Sequence, residues 1–158
     1  MSEHRQAWRL VKAARADTAF DGEGAYRFGG RWNSRGVRTV YASSTLALAL
    51  LEILVHLDPS GRVPELLAIP IQIPTSCIKQ LANPVYPDAG GDFAETLGAT
   101  RRMGDDWIRS ARQSALRVPS AIIPVEDNFL LNPEHPDFSK LEIGPASPFS
   151  FDTRLLMT

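Results

Sequence analysis

Residues 43–57 read SSTLALALLEILVHL, and this stretch contains the clearest predicted element of the chain. Ser43 or Ser44 is suited to cap the start of a helix, because a serine hydroxyl can accept a hydrogen bond from a free N–H of the first turn. The segment DPSG at 58–61 ends the helix, since proline and glycine both interrupt helices. Apolar residues lie almost all round the predicted helix over 44–57, so we expect it to be buried on most sides.

Glu52 is the one carboxylate inside this apolar stretch. A buried carboxylate is unfavourable unless it is paired or hydrogen-bonded. In a structural interpretation, Glu52 forms a salt bridge with an arginine or reaches solvent along a narrow polar stripe. In a functional interpretation, it lies at the base of a pocket and contacts a sugar hydroxyl or a developing cation. Glu52 and His56 are four residues apart, but a clear third ligand is missing and no metal site is predicted.

Short strands are predicted on both sides of this helix. They are Trp8–Val11, Val37–Ala42, Glu65–Ile73, Ser120–Val125, Asn128–Leu131, Leu141–Ile143 and Phe149–Phe151. Pro70 indicates that the third of them is an edge or irregular strand. A second amphipathic helix is predicted from Gly104 or Asp105 to Leu116, and a loop over Asn83–Asp92. Strands outnumber helices without regular alternation, which favours an α+β fold with mixed β-sheets over a doubly wound α/β fold.

The composition is that of an ordinary globular protein. A chain of 158 residues can bury one proper core, so we expect a single domain over residues 1–158. Its net charge of −1 argues against direct binding to nucleic acid or to an anionic membrane. Cys77 is the only cysteine, which excludes a disulfide framework. The start of the chain has no apolar stretch suited to export, and the run Thr45–Val55 is too short to span a bilayer, so we expect a cytoplasmic protein.

A glycine turn, Gly29-Gly30-Arg31-Trp32-Asn33, precedes the predicted helix. Paired glycines let a ligand approach the backbone closely, and Arg31 could then bind a phosphate with both of its terminal nitrogens. Trp32 and Tyr41 could supply an aromatic surface for a planar heterocycle. The alternative is an ordinary turn with a surface arginine and two core aromatic residues.

Ser120 follows Pro119 at a predicted transition from helix to strand. Because no base is evident for it, hydrogen bonding to a phosphate or a carboxylate is a better interpretation than nucleophilic attack. Asn128, Asn132 and His135 are more typical of turns than of ligand sites.

Taken in order, these motifs resemble the RES domain family. They are GGRWN at 29–33, VYAS at 40–43, LALALLE at 46–52, VPS at 118–120, Asn128, and NPEHP at 132–136. The family is named for an arginine, a glutamate and a serine, which here match Arg31, Glu52 and Ser120. The resemblance extends over nearly the whole chain.

The resemblance implies a compact α+β body with a central cleft, similar to the ADP-ribosyltransferase fold. It also implies a toxin of a bacterial type II toxin–antitoxin system, whose partner is an antitoxin with an Xre-type helix-turn-helix domain. Such toxins degrade NAD by cleaving its nicotinamide–ribose bond, with phosphate or water as acceptor, and at least one branch ADP-ribosylates a protein instead. NAD is thus a substrate, inorganic phosphate is a candidate co-substrate, and no cofactor or metal is expected. A homodimer within the toxin–antitoxin complex is left open.

Roles for individual residues follow from the resemblance. Glu52 would stabilise the oxocarbenium-like state, while Arg31 would hold the pyrophosphate or an incoming phosphate. Tyr41 would stack on nicotinamide. Ser120 and Asn128 would bind phosphate or ribose and orient Glu52, and Trp32 and Asn33 would complete the NAD site. The two alternative hypotheses are an ADP-ribosyltransferase that modifies a protein and a non-catalytic module that binds NAD.

Overall fold

A computed structural model describes residues 3–58, 62–81 and 93–156. The strands are β1 (His4–Lys12), β2 (Val40–Ser43), β3 (Leu66–Pro74), β4 (Ile78–Gln80), β5 (Ala115–Pro119), β6 (Asp127–Leu131), β7 (Glu142–Ile143) and β8 (Ser147–Phe149). The α-helices are α1 (Glu23–Phe28), α2 (Leu46–Leu54) and α3 (Phe93–Ser110), and short 3-10 helices cover Ala13–Thr18, Thr75–Cys77, Pro136–Lys140 and Thr153–Leu156. The predicted α+β class is confirmed. The loop predicted over Asn83–Asp92 lies outside the described residues.

The described strands form one mixed sheet rather than separate sheets. Their order is β4-β5-β6-β2-β1-β3-β7, and β8 pairs with β3 next to β7. β4 and β5 are parallel, while the other described pairs are antiparallel. β1 pairs with β3 along its full length, but with β2 only at Trp8 and Ser43. Beyond this single pair, β1 and β2 are not paired and leave an opening at the centre of the sheet. The opening agrees with the cleft expected for an ADP-ribosyltransferase-like fold.

The two faces of the sheet pack against different layers, because successive strand residues point to opposite sides. One face carries an apolar cluster that includes Ala7, Val40, Ala42, Ile71, Ile73, Phe129 and Leu131. On the other face, α2 packs beside Leu10 and Ala68, and α3 packs Trp107 near Leu116 and Leu130. Tyr41 and Ser43 of β2 alternate with Val40 and Ala42, so they point to the side of the helices. Across the described ranges, no helix combines the length and the apolar character needed to cross a bilayer.

The helix predicted over 44–57 is present but shorter and less buried than expected. Its cap is Thr45, not Ser43 or Ser44, and the Thr45 side chain accepts a hydrogen bond from the N–H of Leu48 at 3.1 Å. Only Leu48 and Ala49 of the helix are buried. Ala47 is the one exposed residue of α2 and the other six are half-buried, so the helix is covered on most sides but is less deeply buried than expected.

Two other expectations were wrong, and a third was correct in one of its alternatives. The second helix, α3, begins at Phe93 and ends at Ser110, because Ala115 and Leu116 belong to a buried strand that pairs with β6. Residues 120–125 form a turn rather than a strand, since the backbone folds around the Ser120 side chain. β3 is not an edge strand, as it lies between β1 and the short strands β7 and β8, but it fits the alternative prediction of an irregular strand. Its pairing changes from β8 at Ala68 to β7 at Ile71, and Pro70 lies in the interruption, where its carbonyl accepts from the N–H of Gly144 at 2.8 Å.

Candidate active site

A cavity of about 670 Å³ lies where α1, α2 and the glycine turn meet β1 and β2. Its volume is within the range of sites that bind small molecules and cofactors. The lining includes Gly29, Gly30, Arg31, Trp32, Tyr41, Ser43, Glu52 and Asn128, together with Arg9 and Arg101. A second cavity of about 580 Å³, between the start of β3 and Phe149–Phe151, contains none of the residues that the sequence motifs single out. The first cavity is therefore the candidate active site.

Glu52 is held in this cavity by two hydrogen bonds to one carboxylate oxygen. Its Oε1 accepts from Ser120 Oγ at 2.9 Å and from Asn128 Nδ2 at 2.7 Å. Asn128 Oδ1 in turn accepts from Ser43 Oγ at 2.8 Å. No arginine within the described ranges forms a salt bridge with Glu52. These bonds satisfy the carboxylate without neutralising it and leave Oε2 without a protein donor in the described part of the chain.

Ser120 lies beneath Glu52 and is completely buried, with 0% of its surface exposed. Its Oγ accepts from the N–H groups of Ile122 and Ile123 at 3.0 and 3.1 Å, so its own proton is directed to Glu52. Ser120 is absent from the lining of the cavity. The geometry fits a residue that orients the carboxylate, which is one of the two roles expected for Ser120, and contact of its hydroxyl with phosphate or ribose stays a prediction.

The loop that carries Arg31 is fixed to α3 by side-chain contacts with its backbone. Thr100 Oγ1 donates to the carbonyl of Arg31 at 2.5 Å, and Arg101 Nε donates to the carbonyl of Gly30 at 2.8 Å. Thr100 is buried and Arg101 lines the cavity. These two bonds from α3 fix the backbone on both sides of the Cα of Arg31, so the position from which the Arg31 side chain starts is fixed.

The same loop touches α3 again one turn later. Asp105 is buried and accepts from the N–H of Ser34 at 2.9 Å and from its Oγ at 2.6 Å. At Gly104 the backbones are in such close contact that an added Cβ would lie 1.7 Å from the carbonyl oxygen of Trp32. Only glycine fits at this position, so Gly104 allows the loop to lie directly on the helix.

Half-buried Tyr41 and fully buried Asn33 form a pair under the glycine turn. The Tyr41 hydroxyl donates to Asn33 Oδ1 at 2.5 Å and accepts from the N–H of Trp32 at 3.1 Å. Burial raises the pKa of Tyr41, so the hydroxyl stays protonated at neutral pH. A Cβ on Gly30 would lie 2.6 Å from this hydroxyl, which explains the glycine there. The Tyr41 ring lines the cavity while its hydroxyl is used to hold the loop.

Asn33 and Trp32 are more buried than an NAD-contacting role would suggest. Asn33 is 0% exposed, and its Nδ2 donates to the carbonyls of Ala25, Ser34 and Val37 at 2.9, 3.2 and 3.0 Å. It is not among the residues that line the cavity. Trp32 does line the cavity but is 2% exposed and packs in the core beside Trp107. The geometry gives Asn33 a positioning role. The contacts with NAD that were expected for Asn33, Trp32 and the other site residues stay predictions.

Replacing Tyr41 with Phe is expected to lower the free energy of unfolding by about 1–3 kcal/mol, because it leaves Asn33 Oδ1 without its buried donor. Thermal unfolding of both proteins measures this difference. Tyr26→Phe is the matched control, since Tyr26 is 42% exposed and its ring packs on Arg38 without a hydroxyl bond in the described part of the chain. Equal melting temperatures for Tyr41→Phe and the unmodified protein would contradict this role of the hydroxyl.

Sequence reasoning missed three residues of the site. Arg9 donates from Nε to the carbonyl of Ala19 at 2.6 Å and from a terminal nitrogen to that of Tyr41 at 2.8 Å, which bridges the opening beside β2. Burial lowers its pKa to about 10, so it remains a cation at neutral pH. The sequence signal that could have identified Arg9 is its charge within the otherwise apolar predicted strand Trp8–Val11. Ser43 was considered as a helix cap and as part of the motif VYAS but was given no role in the site, and no pattern distinguished Arg101.

The described residues contain no group of three or more His, Cys, Asp or Glu side chains that could hold a metal ion. His56 lies near Glu52 on the lining of the cavity without further candidate ligands beside it in the described chain.

Comparison with known protein families matches residues 6–152 to the RES domain. The chain belongs to the RES domain family. A protein of Sphingobium sp. (strain YBL2) named "Prs ADP-ribosylating toxin" is 36% identical over 153 residues, which cover 94% of this chain and 95% of that protein. A "Toxin Res" of Yersinia enterocolitica is 36% identical over 150 residues, with 94% and 97% covered, and one of Photorhabdus laumondii is 33% identical over 151 residues, with 94% and 96% covered. The resemblance inferred from the motifs is confirmed, and the candidate active site lies within the matched part of this RES domain.

Proposed function

We propose that this RES domain is a toxin enzyme that cleaves the nicotinamide–ribose bond of NAD. The observation that carries the proposal is Glu52, a carboxylate in a cavity, oriented through one oxygen by Ser120 and Asn128. When the C1′–N bond breaks, its electron pair moves to the pyridine nitrogen and neutral nicotinamide leaves. Positive charge then develops on the ribose, and a fixed carboxylate stabilises that charge or binds a ribose hydroxyl. Nicotinamide is already cationic in NAD, so no general acid is required.

The charges of the lining support a dinucleotide substrate. Among the described residues that line the cavity, Arg9, Arg31 and Arg101 are cationic and Glu52 is the one carboxylate. A pyrophosphate carries two negative charges, and guanidinium groups bind phosphate oxygens with directed hydrogen bonds. Arg31 binds the pyrophosphate in this proposal, and the other two arginines add positive potential. The Tyr41 ring, fixed through its hydroxyl, stacks on nicotinamide.

The ADP-ribosyl group must be captured by an acceptor after nicotinamide leaves. If the acceptor is inorganic phosphate, its oxygen bonds to C1′ and the product is ADP-ribose 1″-phosphate. If the acceptor is water, it loses a proton and the product is ADP-ribose. NAD is thus a substrate, phosphate is the candidate co-substrate, and the reaction needs no cofactor or metal.

A second candidate acceptor is a protein side chain. The name of the Sphingobium relative, "Prs ADP-ribosylating toxin", favours this alternative at 36% identity. The first step, departure of nicotinamide beside Glu52, is the same in both reactions. A non-catalytic module that binds NAD is the remaining alternative, and Glu52 then serves only in binding.

An antitoxin is part of the proposal, because an uninhibited enzyme that consumes NAD would harm its own cell. The relatives named "Toxin Res" support a partner of this kind. We assign it an Xre-type helix-turn-helix domain and a C-terminal segment that covers Arg31 and Glu52. A structure of the complex with an open and uncovered cavity would contradict this placement.

Proton NMR of the purified protein with NAD tests the reaction and its acceptor. The protein is freed of any antitoxin and incubated in buffers with and without phosphate. Nicotinamide release that requires phosphate indicates phosphorolysis, and release in both buffers indicates hydrolysis. Release only after addition of a protein substrate, with a matching mass increase of that protein, would favour ADP-ribosylation. No release under any of these conditions would contradict an enzymatic function.

Ser120→Ala is expected to reduce kcat by about tenfold or more, because Glu52 loses one of its two hydrogen-bond donors and its fixed orientation. The KM for NAD should change much less, since Ser120 does not line the cavity. Steady-state kinetics measure both constants. Ser139→Ala is the control, as Ser139 is exposed and donates only to the nearby carbonyl of Pro136. An unchanged kcat in folded Ser120→Ala would exclude the positioning role.

A further inference from the structure

His56 lies one helical turn beyond Glu52, and both side chains line the candidate active site. The backbone stays helical past the end of α2, because Val55 has helical dihedral angles and the N–H of His56 donates to the carbonyl of Ile53 at 3.0 Å. Side chains four residues apart on a helix are neighbours, about 5–6 Å apart at their Cβ atoms, and they lean towards its N-terminal end. The imidazole of His56 is therefore beside the Glu52 carboxylate.

The imidazole of His56 is exposed and is not used to hold the fold. It forms no hydrogen bond or ion pair with any other residue in the described part of the chain. Histidine is the side chain that most readily takes up and releases a proton near neutral pH. An exposed imidazole can also pass that proton on to solvent, so this residue can accept protons in successive turnovers.

The other titratable side chains of the described lining are unsuited to take a proton from an acceptor. The three arginines of the cavity stay cationic, and the hydroxyl of Tyr41 is already protonated. Glu52 would lose, on protonation, the negative charge that the proposed reaction needs beside the ribose. Among the described residues that line the cavity, His56 is the group left for this task.

We propose that His56 is the catalytic base that activates water when NAD is hydrolysed, so that it determines which acceptors the enzyme can use. The inference rests on the proposed function. The water oxygen bonds to C1′ of the nicotinamide ribose while the C1′–N bond breaks and its electron pair moves to nicotinamide. A proton of the water moves to a ring nitrogen of His56 and then to solvent, and the product is ADP-ribose. Inorganic phosphate is already an anion at neutral pH, so its attack needs no base.

The rate of nicotinamide release by His56→Gln tests this role with each acceptor. With water as acceptor, the rate should fall by about a hundredfold, the lower end of what a positioned base contributes. With saturating phosphate at the same pH, the rate should fall by less than about threefold. Phosphorus NMR separates the two products, ADP-ribose and its 1″-phosphate.

The pH dependence of hydrolysis gives a second readout. For the unmodified protein, the rate should fall as the pH is lowered from about 8 to about 5, because a protonated imidazole cannot accept a proton. The other charged or titratable groups of the described lining are Glu52, Tyr41 and the three arginines. They are unchanged in His56→Gln, so any pH dependence that they cause remains, and only the part due to the imidazole should disappear.

A rescue experiment and a control variant complete the test. Added imidazole should restore hydrolysis by His56→Ala, and the restored rate should rise with the concentration of unprotonated imidazole, which a merely structural role would not produce. His4→Gln is the control, because His4 is exposed on β1 and does not line the cavity. This variant should hydrolyse NAD like the unmodified protein.

The outcomes separate this inference from the proposed function. Hydrolysis by folded His56→Gln at the unmodified rate would overturn the base role, as would equal losses of hydrolysis and phosphorolysis. Cleavage of NAD by the unmodified protein with phosphate but not with water would also overturn it. In each of these cases the cleavage of NAD itself stands. Absence of nicotinamide release by the unmodified protein under every condition would instead contradict the proposed function, and the base role with it.

Discussion

Glu52→Gln is expected to reduce the turnover of NAD by at least about a hundredfold while the protein remains folded. Glutamine has nearly the same shape and still offers an oxygen to Ser120 and Asn128, which bind Glu52 Oε1 at 2.9 and 2.7 Å. What is lost is the negative charge beside the ribose, where positive charge develops. A hundredfold decrease corresponds to about 2.7 kcal/mol of transition-state stabilisation. Nicotinamide release followed by NMR measures the effect.

Glu142→Gln is the matched control, because Glu142 is exposed on β7 and does not line the cavity. It should have the turnover of the unmodified protein. Full turnover by folded Glu52→Gln would exclude a catalytic role for the charge. Unfolding of Glu52→Gln would instead favour a structural role for this carboxylate.

Gly104→Ala is expected to lower the free energy of unfolding by about 3 kcal/mol or more, which is large for the addition of one methyl group. The new Cβ would lie 1.7 Å from the carbonyl oxygen of Trp32, a backbone atom that no rotamer change can move. The loop must separate from α3, and this movement weakens the contacts of Thr100 and Asp105 with the loop. For a chain of this size, we expect a melting temperature lower by about 6–12 °C.

Gly98→Ala on the same helix is the control. There the new Cβ would meet only the Arg102 guanidinium at 3.3 Å, and that flexible side chain can move away. Alanine is the better helix former by about 1 kcal/mol, so this variant should be as stable as the unmodified protein or more stable. Similar melting temperatures for both alanine variants would contradict the contact between α3 and the loop. The KM for NAD of Gly104→Ala should rise in parallel, because Arg31 lies on the displaced loop.

Helices and strands were predicted correctly where the pattern of neighbouring residues determines them. The apolar run of α2, the β-branched and aromatic residues around β2, and the strand over 128–131 were all found from the chain alone. The errors arose where contacts distant in sequence decide the outcome. Leu116 has an apolar pattern compatible with a helix, but its pairing with Leu130 places it in β5. Ser120 begins a turn because its hydroxyl binds two backbone N–H groups, which no pattern of polarity reveals.

The candidate site was predicted mainly through the order of its motifs. Glu52 contacts Ser120 and Asn128, which are 68 and 76 residues away in the chain, and spacing alone cannot predict such contacts. As the single carboxylate in an apolar helix, Glu52 was identified as a candidate site residue. The sequence did not indicate which side chains hydrogen-bond to it. Arg101 could not be found at all, because its role depends on how α3 lies against the glycine turn.

A crystal structure of Glu52→Gln with NAD tests the central claim most directly, because the variant should bind the substrate without consuming it. We predict that NAD occupies the cavity with the C1′ of its nicotinamide ribose beside residue 52, its pyrophosphate beside Arg31, and nicotinamide on the Tyr41 ring. NAD bound outside this cavity, or bound with its adenine beside residue 52, would contradict the account.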